Sequence, residues 1–277
     1  MRRVVVTADD FGMAPEVNAA VEEAHRHGIL TAASLMVSGA ACADAIARAR
    51  RLPRLRTGLH VVLVEGVPAL PPEKVPGLVG PDGRFRTDMV RMSIDIALRP
   101  GVRAELRAEI EAQFTAYRTT GLALDHVNAH KHFHLHPVIA REILATGRRF
   151  GVRAVRVPVE PAGVLAQAGS PGRGFPPGVT PWLRLLARRA RRAGLATPDA
   201  VFGLAWTGGM SAARLRGLIP HLPPGLTEIY CHPATRDGFD GAAPGYRYAD
   251  ELAALTDPGV VALTRATDIR LGGFSDF

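Results

Sequence analysis

The sequence predicts an α/β protein whose mostly parallel sheet curls into a (β/α) barrel. Three observations carry this. Strand-like and helix-like segments alternate along nearly all of the 277 residues, which implies parallel strands joined by helical crossovers. Seven or eight such units in this length fit a barrel better than an open sheet. No GxGxxG follows the first strand, where "RRVVVTA" runs into "DDFG" instead. That counts against a dinucleotide-binding open sheet and leaves an open doubly wound sheet as the runner-up. The chain reads as a single barrel domain over residues 1–277, with no internal repeat and no low-complexity tail.

The elements follow in order. "RRVVVTA" is β-branched and apolar, as a buried parallel strand should be. "PEVNAAVEEAHRHG" reads as a helix, with Pro15 in its first turn and Gly28 at its C-cap. "ASLMVSG" is the second strand, "CADAIARARR" the second helix and "RTGLHVVLV" the third strand. Residues 66–86 are rich in Pro and Gly and read as a long loop. "RAELRAEIEAQFTAYRTTG" is an amphipathic helix with Leu106, Ile110, Phe114 and Tyr117 on one stripe. "LALDHVN" is a strand, "PVIAREILATGRRFG" a helix and "RAVRVPV" a short strand. Residues 157–179 form a second long loop before the helix "TPWLRLLARRARRAG". "DAVFGLAW", "LTEIYCHP" and "GVVALT" are read as the remaining strands, with short helices between them.

Composition narrows the function. The net charge of +8 comes almost entirely from arginine, since Lys74 and Lys131 are the only lysines. The basic residues are scattered in an Ala-, Gly- and Pro-rich chain, as GC-rich codon usage would produce. No aromatic platform accompanies them, which argues against nucleic-acid binding. Cys42 and Cys231 are far apart and form no disulfide framework. The N-terminus enters a strand directly, without a signal-peptide apolar region, and no apolar run reaches the ~18 residues of a membrane span. The expected location is the cytoplasm, with contact at the inner membrane face left open.

The chemistry gathers at predicted strand ends, where barrels and doubly wound sheets both hold their active sites. Asp9 and Asp10 end the first strand, His60 lies in the third, "HVNAHKHFHLHP" ends the fourth and His232 ends a late strand. His126, Asn128, His130, His132, His134 and His136 share one parity, hence one face if the strand continued; Pro137 marks a helix start, so the later ones fall in a loop. Neutral histidines with one carboxylate make a catalytic metal site that keeps a coordination position open. A cation relieves the repulsion between Asp9 and Asp10. A turn at the strand end, with Gly12 supplying the bend, would aim both into one site. One aspartate then binds metal and the other accepts a proton from water. The plainer alternatives are an aspartate N-cap for the next helix, a core histidine at 60, a surface His tract and a turn histidine at 232. His25, His27 and His221 are read as structural or solvated.

At these positions the chain resembles the YdjC-like carbohydrate deacetylases. The matching stretches are "TADDFG" at 7–12, "GLH" at 58–60, "HVNAHKHFH" at 126–134 and "CHP" at 231–233. "EVNAAVEEAHRHGILTAASLMVSG" and "LDHVNAHKHFHLHP" look like the hopanoid-biosynthesis-associated branch. The resemblance implies a distorted, TIM-like barrel that removes the acetyl group of an N-acetylated amino sugar with one divalent metal ion. It implies Asp10, His60 and His130 as ligands, Asp9 as general base and His232 as the acid that protonates the leaving amine. Asn128 stands where some relatives carry aspartate, and a role orienting His130 is one reading of it. The donor set suits Zn, with Mg equally open and Mn, Co and Ni behind. The implied substrate is an N-acetylglucosaminyl hopanoid. A soluble N-acetylated sugar such as diacetylchitobiose, a two-metal amidohydrolase or phosphoesterase, and a non-catalytic metal- or sugar-binding barrel are the alternatives, and a homodimer is left open.

A lipid substrate would need an apolar entrance. Loops 64–99 and 157–180 are the candidates, with Val64, Val67, Leu70, Val75, Leu78, Val164 and Leu165. The helix from Trp182 to Ala193 carries five arginines beside Leu183, Leu185 and Leu186. It is read first as a barrel helix with arginines in water, and second as a basic amphipathic surface helix.

Overall fold

The computed structural model describes residues 1–169 and 174–277. Eight parallel strands form one sheet: β1 (Arg2–Phe11), β2 (Ala32–Leu35), β3 (Arg56–Val61), β4 (Leu124–Ala129), β5 (Ala154–Val155), β6 (Ala200–Phe202), β7 (Gly225–Cys231) and β8 (Ile269–Leu271). Its path is β5-β4-β3-β2-β1-β7-β6, with β8 beside the first residues of β1. The helices are α1 (Pro15–His27), α2 (Cys42–Arg51), α3 (Met89–Leu98), α4 (Pro100–Thr119), α5 (Pro137–Arg149), α6 (Ala162–Gln167), α7 (Thr180–Arg192), α8 (Ala212–Leu218), α9 (Tyr248–Thr256) and α10 (Pro258–Ala266).

The sheet curls into a half-barrel, consistent with a distorted TIM-like barrel. β1 lies at its centre, and from Val4 to Phe11 every residue is buried, which explains why Val4–Val6 are consecutively apolar and do not alternate with polar residues. Between the outer strands β5 and β6, loop backbone takes over the pairing. Val155 N–H donates to Ala196 at 3.0 Å, Ala196 to Arg153 at 2.8 Å and Val201 to Val159 at 2.9 Å. β5 stops after two residues because the chain reaches Pro158, which has no N–H to give.

Most predicted elements lie where the pattern put them. α1 begins at Pro15 and ends at Gly28. The α4 stripe of Leu106, Ile110, Phe114 and Tyr117 is buried. α7 turns Leu183, Leu186, Ala187 and Ala190 inward and leaves its arginines exposed, so its amphipathic pattern is that of a barrel helix.

Three readings need correction. "GVVALT" is helix α10 and not a strand. Pro258 opens it, and Asp257 caps it by accepting the Val260 N–H at 2.9 Å. The last strand is β8, which follows it. The loop read over 64–99 contains α3, capped by Asp88 on the Arg91 N–H, after a short 3₁₀ turn at Pro72–Lys74. The loop read over 157–179 contains α6; its residues 170–173 lie outside the described residues. Apolar content inside these loops reflects packing: Val64, Val75, Leu78 and Leu165 belong to the core, Leu70 and Val164 lie half-buried against it, and only Val67 is exposed. Among the described residues no helix is long and apolar enough to cross a membrane.

Candidate metal centre and active-site cavity

The predicted site residues converge on one cavity of about 1360 Å³ at the C-terminal ends of the strands; Asp9, Asp10, His60, His130 and His232 all line it. The opening pair is resolved by backbone geometry. Asp10 adopts a left-handed conformation (φ 62°), with Gly12 following at φ 94°. The alternation of β1 is therefore broken at Asp10 itself, and both carboxylates reach the cavity. A left-handed aspartate is uncommon and carries local strain. Neither aspartate caps α1, whose N-cap is Ala14.

Asp10, His60 and His130 offer three ligand atoms within 4.8 Å of one another. Asp10 Oδ1 lies 3.2 Å from His60 Nε2 and 3.1 Å from His130 Nδ1, and the two nitrogens are 3.4 Å apart. Metal–ligand bonds of about 2.0–2.1 Å subtend edges of roughly 3–3.4 Å in tetrahedral or octahedral geometry, so the set fits a divalent ion without rearrangement. Three protein donors leave positions free for water and substrate. Burial alone would raise the Asp10 carboxyl, but the His130 charge and the hydrogen bonds from His130 and His60 hold it well below the usual carboxylate range. Burial pushes His60 down, and the Asp9 and Asp10 charges raise it overall.

Asp9 sits beside this set without joining it. Arg156 grips it with two nitrogens, Nη1 to Oδ2 at 2.5 Å and Nη2 to Oδ1 at 3.0 Å, and Asn128 donates to Oδ1 at 3.0 Å. Arg156 also donates to the fully buried Glu228 at 2.7 Å. A buried cation is thus held between two carboxylates. Burial favours a neutral Asp9, but the Arg156 charge overrides it and holds the carboxyl far below its ordinary value. His232 faces the same cavity between Tyr230 and Tyr246, with ring centroids 5.7 and 5.2 Å away. Glu251 accepts its backbone N–H, and its Nδ1 has no partner among the described residues.

The histidine tract divides. His126 and Asn128 keep the strand alternation and point inward, but β4 ends at Ala129. Lys131 and His132 then turn left-handed, with φ 52° and 53°. His132 consequently reaches Tyr230 Oη at 3.0 Å, and His134 donates to the Arg156 carbonyl at 2.9 Å. His136 becomes the N-cap residue of α5. Asn128 contacts His60 Nδ1 at 2.7 Å through its carbonyl, so it orients His60 and Asp9, not His130.

Sequence reasoning missed Arg156, Tyr230, Glu228 and Ser34. Arg156 left one signal, a lone arginine in the apolar stretch "AVRVPV". The others are ordinary strand residues whose partners come from distant strands.

A curled parallel sheet with a carboxylate and two imidazoles clustered at its C-terminal rim, a second carboxylate alongside and a late-strand histidine, is an α/β barrel-type fold with a site that could hold a divalent ion. Comparison narrows the class. A family profile described as YdjC-like protein matches residues 3–266, and the chain belongs to that family. A carbohydrate deacetylase from Homo sapiens is 31% identical over 99% of this chain and 90% of its own length. A chitooligosaccharide deacetylase from Klebsiella pneumoniae is 28% identical over 99% of each chain. The solved structure of a candidate cellobiose-phosphate cleavage protein from Enterococcus faecalis superposes with a TM-score of 0.76 at 23% identity, covering 99% of this chain and 98% of that one; that likeness speaks for the fold.

Proposed function

We propose that this chain is a metal-dependent deacetylase that hydrolyses the N-acetyl group of an N-acetylglucosamine-type sugar. The observation that carries the reading is the Asp10–His60–His130 cluster with the ionised Asp9 beside it. Relatives named as carbohydrate and chitooligosaccharide deacetylases support it. A divalent ion there, Zn or Mg first, would polarise the acetamide carbonyl and acidify a water.

The chain's own residues do the rest. Asp9 takes the water proton. Its Arg156 contacts lower its basicity but fix its direction, and one lone pair of Oδ2 stays free of Arg156. His232, free at Nδ1, gives a proton to the departing amine. Phe175 and Tyr246, both partly exposed, line the cavity where a sugar ring would lie, whereas Tyr230 is buried with the Arg156 guanidinium over its ring. The cavity exceeds the usual range of about 300–1,000 Å³ for small-ligand sites, which favours a substrate larger than one sugar.

The sugar is proposed to be carried by a hopanoid lipid. Two supports bear on this: the resemblance of the two long stretches noted above, and an exposed apolar stripe on α3. Val90 and Leu98 are 73% exposed and Ile94 54%. The loop carrying Val67 and Arg84 to the cavity wall leads into α3, and Arg86 pairs with Asp95 of that helix at 2.8 Å. Such an exposed stripe suits peripheral contact with a membrane face.

Acetate release from N-acetylglucosaminyl hopanoid and from diacetylchitobiose, each with and without chelator, tests the reading. Chelator-sensitive release from the lipid is expected. Release from the soluble sugar alone would discard the lipid but keep the chemistry. No release from either, with metal bound, would overturn the deacetylase.

A further inference from the structure

A polar chain crosses the barrel core beneath the site and ends on two of its groups. At the start of β4, Asp125 accepts the backbone N–H of Phe274 at 3.1 Å and of Ser275 at 2.7 Å. Its Oδ2 lies 3.0 Å from His126 Nδ1. His126 Nε2 lies 3.0 Å from Ser34 Oγ on β2. Asn128 Nδ2 lies 2.9 Å from the same Oγ and 3.0 Å from Asp9 Oδ1, and Asn128 Oδ1 lies 2.7 Å from His60 Nδ1. His126, Ser34 and Asn128 are fully buried.

Counting donors orients every proton along this chain. Asp125 receives two N–H groups and acts as an acceptor, so the His126 proton sits on Nδ1. In a neutral ring Nε2 then accepts, and only the Ser34 hydroxyl can donate to it. With its own proton spent, Ser34 Oγ accepts from Asn128. The second Asn128 N–H goes to the ionised Asp9. The opposite amide orientation would set the Asn128 oxygen against that carboxylate. The Asn128 carbonyl must therefore accept from His60 Nδ1–H. The remaining nitrogen of His60, Nε2, faces Asp10 and His130.

We infer that His126 and Ser34 are positioning residues: acting through Asn128, they place the His60 proton on Nδ1, present the Nε2 lone pair to a divalent cation, and hold one oxygen of Asp9 in place. Carboxylate- or carbonyl-backed histidines are the usual means of fixing a ligand's tautomer. Here the backing group is itself held by a relay that starts at the C-terminal turn on the opposite end of the barrel. The inference rests on the metal reading of Asp10, His60 and His130.

The test is Zn²⁺ affinity, measured by competition with a chromophoric chelator, in the wild type, Ser34→Ala, His126→Phe and Tyr117→Phe. Tyr117 hydrogen-bonds Thr57 and the Ala123 carbonyl, off the relay, so its variant controls for simple loss of a buried hydroxyl. Ser34→Ala and His126→Phe should each weaken Zn²⁺ binding about tenfold or more, and Tyr117→Phe should stay within about twofold even if its Tm falls. Wild-type affinity in both relay variants, or an equal loss in the control, would overturn the relay. Failure of the wild type to bind Zn²⁺ would instead overturn the metal reading. ¹H–¹⁵N correlation of the histidine rings in the Zn²⁺-loaded wild type tests the same point without a variant. His126 and His60 should both carry the proton on Nδ1; an Nε2–H form of His126 overturns the assignment.

Discussion

At the scale of the residue, the two adjacent aspartates are given different work by their surroundings. Asp10 turns left-handed into the imidazoles, while Asp9 stays in the strand direction and meets Arg156. Asp9→Asn keeps the shape and removes the charge. It should lower turnover by at least about 100-fold, the lower end of what a general base supplies, with Zn²⁺ affinity within a few-fold, as steady-state kinetics and metal titration would show. Near-normal turnover would remove Asp9 from the chemistry. His134 offers a pH prediction. Burial, together with the Arg156 charge, lowers its pKa to about 4 against its carbonyl hydrogen bond. Between about pH 4 and 6.5 the unfolded chain binds a proton that the folded chain refuses, so stability rises with pH in that window. The group contributes up to about 1.4 kcal/mol per pH unit, roughly 3 kcal/mol in all. Glu160 and Glu251, raised by burial, act with the opposite sign. The test is therefore the difference between wild type and His134→Gln in urea denaturation at pH 4.5 and 6.5: the variant should show the shallower loss on acidification.

At the scale of the element, β3 and β4 show how close the strands stand around the relay. A Cβ on Gly58 would lie 2.5 Å from the His126 ring and from its carbonyl oxygen. Gly58→Ala should destabilise the fold by about 1–3 kcal/mol through overpacking. Because His126 is what it displaces, it should weaken Zn²⁺ binding as well. Denaturant unfolding alongside metal titration separates the two effects; full stability with unchanged affinity would show that β3 and β4 can part without cost. The loop after β4 illustrates the opposite case. Two left-handed residues, Lys131 and His132, end the alternation, so that His132 and His134 reach Tyr230 and the Arg156 carbonyl while His130 before them stays on Asp10. The Lys131 ammonium pairs with Glu65, itself left-handed at φ 53°, tying the loops after β3 and β4 together over the site.

At the scale of the whole molecule, the site draws its groups from β1, β3, β4 and the ends of β5 and β7, so a bound ion would bridge strands across the curled sheet. Saturating Zn²⁺ at about 100 times its Kd should add roughly 2.7 kcal/mol to stability and raise the Tm by a few degrees. Scanning calorimetry with and without chelator measures it. Asp10→Ala should abolish the shift, and an unchanged shift in that variant would place the ion elsewhere.

The sequence by itself determined the parallel β–α alternation, the strand-end position of every group in the candidate metal set, and the inward packing of α4. These depend on periodicity, turn residues and local chemistry, all of which are short-range. It misread α10 as a strand, because "GVVALT" is β-branched and only its Asp-Pro start signals a helix. Tertiary structure alone decided that Arg156 grips Asp9, that Asn128 serves His60, and that Ser34 and His126 link the C-terminal turn to the site. Each of those contacts joins residues far apart in sequence. Their partners are set by the register and curl of the sheet, which no local pattern encodes.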